Sequence, residues 1–489
     1  MAKELTPEEQ EKEVKGTIGG DNPFYLGVRD KLNAQGCGMC LAKWTQVTIH
    51  FHTGRNHSCH HPNTHPIPVH EVKRNPSALH NTLYKKRRRR EMLTGKRPKE
   101  CDYCWNVEDN SNEYSDRIYK TSESWSRPFY KEIVDTPWNE DYFPKYVEVA
   151  FSNICNFKCS YCGPSFSSQW VIESEKHGAY PTTDGFNGIE WMRDSGQLPI
   201  KHNEYNPYVE AFWKWWPDLY HNLHTFRMTG GEPLLSKDVW KVLDYIETTD
   251  DPNRMLKLSI NTNLGAEDRL IDKLIEKINR IRGENRVEEF VIFTSVDGWG
   301  KQAEYGRHGL EFNRFWNNIY KILSKCPTVS IGIMSTYNAL SVPSYPTLIK
   351  NVYDFKKEFG STDRDWVSSL FLDASYLRHP LHQTIQVLPT DEFSPLVKKQ
   401  GELAKDYKEV FHQDLNKQGV SYGYTDVEIG KLTRLYDWMV APQDEQQLIT
   451  NRKNFYRFFN AHDERRGTNF VKTFPEFEEF YYKCKELNG

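Results

Sequence analysis

The sequence predicts an α/β fold carried by a parallel sheet, and two observations predict it. Between about residues 140 and 376, six strand-like runs alternate with helical ones. Polar and glycine-rich residues gather immediately after those runs. Eight of the ten cysteines fall before residue 163, outside most of this repeat. Strands that alternate with helices pair in parallel through right-handed crossovers, and six such units in series curve toward a partial (β/α)6 barrel.

The first run, KYVEVAF (145–151), leads into Cys155, and the second, TFRMT (225–229), ends at Gly230-Gly231-Glu232-Pro233. MLKLSINTN (255–263), EFVIFTSVDG (289–298), TVSIGIMST (328–336) and WVSSLFLDA (366–374) complete the set. Between them Val239, Val242, Leu243 and Ile246 share a helical face, as do Leu270, Ile271, Leu274, Ile275 and Ile278. FNRFWNNIYKIL (312–323) reads as a further amphipathic helix. The segment 178–222, with Trp191, Trp213, Trp215 and Trp216, interrupts the repeat as a helical or irregular insertion. The expected organisation is a polar arm (1–19), a small Cys-rich α+β domain (20–125), the barrel core (140–376) and a mostly helical C-terminal extension (377–489).

Composition narrows the function classes. Net charge is −3 over 489 residues, so no global positive field draws the chain to nucleic acid or anionic lipid. No apolar run reaches the roughly 18 residues of a spanning helix, and the polar start lacks a signal-peptide core. A cytoplasmic location is expected. Thiols are kept reduced there, so clustered cysteines read as metal ligands and the isolated Cys326 and Cys484 as buried thiols.

Cys155-Asn-Phe-Lys-Cys159-Ser-Tyr-Cys162 sets three thiols in eight residues after a strand. Three thiolates can hold three irons of a [4Fe–4S] cube and leave the fourth open, whereas electron-transfer clusters take four. A structural zinc knuckle is the bland reading, but zinc sites usually pair CxxC units. The motif, with Tyr161 before its last cysteine, resembles the CxxxCxxC of the radical S-adenosylmethionine superfamily. GGEP resembles that family's motif for the methionine amino group, on Gly230, Gly231 and Glu232. Ser295, Asp297 and Arg307 resemble its ribose and carboxylate contacts, and Asn261 and Asn263, more loosely, its third-strand asparagine. The resemblance covers about 145–340, with the motifs in the family's order.

It implies an enzyme of oxidoreductase or radical-modifying type on a TIM-type barrel. Reductive cleavage of S-adenosylmethionine would give a 5′-deoxyadenosyl radical that abstracts hydrogen from a peptide or protein, a small metabolite or a nucleotide. A flavodoxin- or ferredoxin-like electron donor is implied as well.

CLAKWTQVTIHFHTGRNHSCHHP reads as a hairpin with Cys40 and Cys59 at its ends, to which the Cys101–Cys104 loop returns. Four thiols there suit zinc or a [4Fe–4S] cluster, and Cys37 is an alternative to Cys40. This block, including MLTGKRPKECDYCW, resembles the auxiliary-cluster domains called SPASM or twitch, in an arrangement similar to proteins of phages and marine bacteria. The resemblance implies a second [4Fe–4S] cluster. Such domains usually follow the barrel; here the block precedes it.

His50, His52, His57, His60, His61, His65 and His70 crowd the same region and read mostly as hydrogen-bonded groups, with a mononuclear histidine site as the sharper alternative. The run Lys85-Lys86-Arg87-Arg88-Arg89-Arg90 reads as a solvated helix face or a phosphate contact. The rival function is accordingly a zinc-stabilised nucleic-acid-binding protein without catalysis.

Overall fold

The computed structural model describes residues 22–360, 369–413 and 419–489. The polar arm 1–19 and residues 366–368 of the sixth predicted strand lie outside them. In chain order the strands are β1 (Gln46–His50), β2 (Arg55–His57), β3 (His65–Pro66), β4 (Tyr146–Ala150), β5 (Lys158–Cys159), β6 (Thr225–Thr229) and β7 (Lys257–Asn261). They continue with β8 (Glu289–Thr294), β9 (Arg307–His308), β10 (Ser330–Tyr337), β11 (Leu370–Tyr376), β12 (Val410–Gln413) and β13 (Gly419–Tyr422). Nine of these form one mainly parallel sheet in the order β11-β10-β8-β7-β6-β4-β1-β2-β3. All six predicted strands are in it, and their order in the sheet follows their order in the chain.

The contacts divide the chain into two compact units. The first comprises the described residues of Met1–Phe151 with Ile200–Met228 and Asp251–Leu258. Here the predicted hairpin departs from a self-contained small domain: β1 pairs in parallel with β4, Thr48 opposite Glu148, and antiparallel with β2. Gly54 turns the hairpin at φ 61°, and a Cβ there would collide with the Tyr208 ring. Asn22 caps the helix Pro23–Gln35 by accepting the Phe24 N–H, and Leu32 packs with Met39, Leu41, Trp44, Met92 and Ile118 in the unit's core. The insertion's helix Pro207–Tyr220 buries Phe212, Trp215, Trp216 and Tyr220, with Phe212 against Phe51 and Phe151 and Trp216 against Phe226. These core aromatics come from a segment that the sequence marked only as an interruption.

The second unit comprises Ser152–Pro199, Thr229–Asp250 and Ser259–Gly489. Its β8, β10 and β11 are parallel neighbours. The helix Asp268–Gly283 buries Ile271, Leu274, Ile275, Ile278 and Ile281, each contributing about 1.5–3 kcal/mol, while Leu270 is half-buried. The helix Phe312–Lys325 buries Phe315, Trp316, Ile319, Ile322 and Leu323. In the C-terminal extension Phe455 and Phe459 of the helix Glu445–Arg466 pack with Phe470 and with Phe480 of the helix Glu478–Glu486, Phe477 packs against Phe393 of the helix Thr390–Asp406, and the helix Asp426–Val440 packs on Thr390–Asp406. No helix among the described residues is long and apolar enough to cross a membrane.

Candidate functional site

The Cys155–Cys162 loop is tied down from several sides. β5 pairs antiparallel with β9, which sets Cys159 opposite Arg307. Arg307 reaches Cys159 Sγ at 3.6 Å, donates to Asp297 at 2.8 Å and to the Tyr161 hydroxyl at 2.5 Å. Tyr161 donates in turn to Asp297 at 2.8 Å, and Asp297 also accepts the Thr336 N–H at 2.8 Å. Tyr161, Asp297 and Arg307, the residues expected at the cofactor, thus form one network with Cys159, its Asp297–Arg307 pair buried. Ser295 follows β8 directly and is half-buried.

Glu232 reaches the same loop from its other side. Its own N–H donates to the Ile154 carbonyl at 2.6 Å. A Cβ on Gly231 would run into that carbonyl, so this approach requires glycine. The Glu232 carboxylate, 1% exposed, accepts from Leu234 N–H, Thr262 Oγ1 and Asn263 N–H at 3.0, 2.7 and 2.7 Å. Burial pushes its acid up to about 7 against those three bonds. Asn263 Nδ2 then bonds Asn156 at 2.8 Å, with Cys155 Sγ at 4.0 Å. Thr262 and Asn156 were not singled out in the sequence, although both flank residues that were.

Burial pushes the Cys162 thiol up to about 12 and raises Cys155 and Cys159 as well, with Arg307 opposing the rise at Cys159. Thiols raised in this way become thiolates when a cationic centre supplies the compensating charge, and the donor set fits an iron–sulfur cluster in that respect.

A second group of residues braces the loop without touching a thiol. Glu173 accepts from Lys158 at 2.7 Å, Tyr180 at 2.6 Å and Arg466 at 3.2 Å, while Arg466 also donates to the Lys158 carbonyl at 2.8 Å. The Glu173 and Arg466 side chains are 3% and 0% exposed. Burial alone would raise the Glu173 acid, but the Arg466 charge and these hydrogen bonds hold it at about 2. Its stabilisation is therefore present above the unfolded carboxyl's range and is lost as pH falls from about 4.3 toward 2. Glu173→Gln is expected to cost about 3–5 kcal/mol, because it strands a buried guanidinium. A thermal midpoint unchanged at pH 7 would show that the pair contributes nothing. No sequence motif marked these residues, since Glu173 and Arg466 stand far apart in the chain.

In the first unit Cys40, Cys59, Cys101 and Cys104 line one small cavity together with Lys43, Lys120 and Asp116. Cys37 is exposed, does not line it, and lies 3.6 Å from the Gly95 carbonyl. Burial pushes Cys101 up to about 11 and Cys104 to about 12, and raises Cys40 and Cys59. The four-thiol donor set, brought to one cavity with cations beside it, fits a metal cluster by the same reasoning. Among the described residues no group of three or more His, Cys, Asp or Glu side chains is placed to hold a metal ion directly. The thiols line a space without closing on one point.

The histidines divide. His50 and His57 face each other at 3.2 Å, His61 pairs with Asp116 at 2.9 Å, and His65 bonds Thr82 at 3.2 Å. Burial lowers His50 and His65 to about 3 and His57 and His60 to about 4. The basic run forms the helix Leu83–Leu93, but the expected solvated face is only half of it. Lys85 and Arg89, one turn apart, are fully buried: Lys85 bonds the Gln46 carbonyl and His80, and Arg89 the Lys43 carbonyl, Asn81 and His80. Lys86 pairs with Asp141 and Arg88 with Glu91.

No family model and no curated protein matches the chain. Among solved structures it is similar to a histidine-tagged form of anSMEcpe with bound AdoMet, at 15% identity over 52% of this chain and 56% of that one, with a TM-score of 0.32. It is also similar to native anSMEcpe with bound AdoMet, at 15% identity over 52% and 58% of the two chains, with a TM-score of 0.26. The chain thus spans little more than half of these structures, and a likeness at this level carries no argument about fold or activity.

Proposed function

We propose that the chain is a radical S-adenosylmethionine enzyme. The observation that carries this reading is the meeting of three sequence-distant motifs at one loop. Arg307 bridges Asp297, Tyr161 and Cys159, while Glu232 joins GGEP to Asn263 beside Cys155. Six sheet strands in chain order are also what a partial (β/α)6 barrel requires.

In this reading Cys155, Cys159 and Cys162 hold a [4Fe–4S] cluster with an open iron. When bound, it supplies the electron that cleaves S-adenosylmethionine to methionine and a 5′-deoxyadenosyl radical, which takes hydrogen from the substrate. The chain's own residues orient and shield. Gly230, Gly231 and Glu232 present the methionine end, with Asn263 beside them. Tyr161, Ser295, Asp297 and Arg307 present polar groups to the rest of the cofactor, and the Arg307–Asp297 pair fixes the loop that carries Cys159. Cys40, Cys59, Cys101 and Cys104 hold a second [4Fe–4S] cluster, and an external flavodoxin- or ferredoxin-like donor delivers electrons.

Anaerobically reconstituted protein should be brown and, once given dithionite, should convert S-adenosylmethionine to 5′-deoxyadenosine, slowly even without substrate. Colourless protein that binds zinc and forms no 5′-deoxyadenosine would overturn the proposal. Glu232→Gln is expected to weaken S-adenosylmethionine binding about tenfold or more, since a charge-assisted bond contributes about 1.5–3 kcal/mol. The substitution also turns an amide toward the Thr262 hydroxyl or the Asn263 N–H, so binding by calorimetry is to be paired with a melting curve. Unchanged affinity would reduce GGEP to a turn that locks two loops together.

A further inference from the structure

The second unit contains a cavity of about 680 Å³ that begins at Tyr161 and Cys162. That volume lies within the roughly 300–1,000 Å³ typical of ligand sites. The insertion and the C-terminal helix Glu445–Arg466 wall it, and both walls are fastened. Asn454 accepts the Thr183 N–H at 2.9 Å and donates to its hydroxyl at 2.7 Å, and Asn187 donates to the Cys162 carbonyl at 2.8 Å.

The chemistry of the lining is selective. Among the described residues that line the cavity there is no lysine or arginine, and Asp184 is its one carboxylate. Phosphate-bearing ligands are ordinarily held by guanidinium or ammonium groups, so a nucleotide fits poorly. The helix instead presents Gln447 and Asn451, one turn apart, with Gln447 Nε2 bonded to Asn451 Oδ1 at 2.9 Å. That bond leaves the Gln447 oxygen as acceptor and the Asn451 amide as donor, the complement of the N–H and C=O that one residue of an extended chain turns to the same side. Trp191, 66% exposed, and Phe166, 48% exposed, line the same cavity and offer it aromatic surface.

We propose that this cavity binds an extended peptide segment free of phosphate. Its backbone pairs with Gln447 and Asn451, and an apolar side chain lies against Trp191 and Phe166. Resting on the radical S-adenosylmethionine reading, this makes a peptide or a protein tail the substrate class of the reaction, delivered beside the Cys155–Cys162 loop.

The test is equilibrium binding to the reconstituted full chain, without reductant or cofactor. The probe is a pool of N-acetylated, C-amidated octapeptides with Leu, Phe or Trp at the centre and a fluorophore at one end. Competitors are the unlabelled peptides, maltohexaose and AMP. The expected result is displacement by unlabelled peptide alone, and about tenfold weaker binding in Trp191→Ala and in Gln447→Ala, as for loss of one good contact. Both side chains are exposed, so both variants should fold, and circular dichroism checks that. No peptide binding, affinity indifferent to both substitutions, or displacement by maltohexaose or AMP would each overturn the proposal. Peptide binding by a wild type that forms no 5′-deoxyadenosine would instead sink the radical reading and leave the peptide site standing.

Discussion

Cys159→Ala is expected to abolish 5′-deoxyadenosine formation from S-adenosylmethionine in dithionite-reduced protein. Two remaining thiols cannot hold a cube with one open iron. This cysteine is also the one that Arg307 reaches, at 3.6 Å, and the one paired across β5 and β9. The fold should survive, because the loop is braced by Glu173, Lys158 and Arg466 without using the thiol. Product is read by liquid chromatography and iron by colorimetry. Turnover at the wild-type rate in the variant would remove the basis for placing a cluster on this loop.

Replacing Cys101 and Cys104 together by Ala should halve the iron content, from about eight atoms per chain to about four, if each thiol set holds one cube. The effect on the first unit is expected to be large, because metal held by thiolates is also folding energy. Its apolar core packs Met39, Leu41 and Trp44 in the same chain segment as Cys40. S-adenosylmethionine cleavage should persist, since the Cys155 set is untouched, whereas product formation from substrate should fall. The complementary triple variant, Cys155, Cys159 and Cys162 to Ala, should keep about four irons and its colour while losing cleavage. A wild type with about four irons and one zinc would make the Cys40 set a structural zinc site. A triple variant without iron would give the same answer.

The parallel sheet and much of the candidate site were legible in the chain because they rest on local chemistry. The strand runs at 145–151, 225–229 and 289–298 alternate with helices whose apolar spacing is intrinsic to them, and they appear as β4, β6 and β8. Thiol spacing and the glycines of GGEP are equally local: the close approach of Gly231 to Ile154 needs a residue without a side chain. Those features mark which residues can do chemistry.

Tertiary structure alone decided what they meet. That β1 lies beside β4 is a pairing across 100 positions, and the hairpin's alternation shows only that it seeks a partner. Lys85 and Arg89 are similar in kind to their exposed neighbour Arg87, and their burial depends on carbonyls and His80 arriving from elsewhere. Cys37 and Cys40 are indistinguishable by spacing, yet only Cys40 lines the cavity with Cys59, Cys101 and Cys104. Arg466 braces the Cys155–Cys162 loop because the C-terminal helix returns to it, leaving a buried charge whose partner, Glu173, lies 293 residues earlier. Periodicity encodes which face of an element is apolar. The partner of a buried charge is encoded nowhere near it, because the desolvation it must offset exists only once the chain has closed around it.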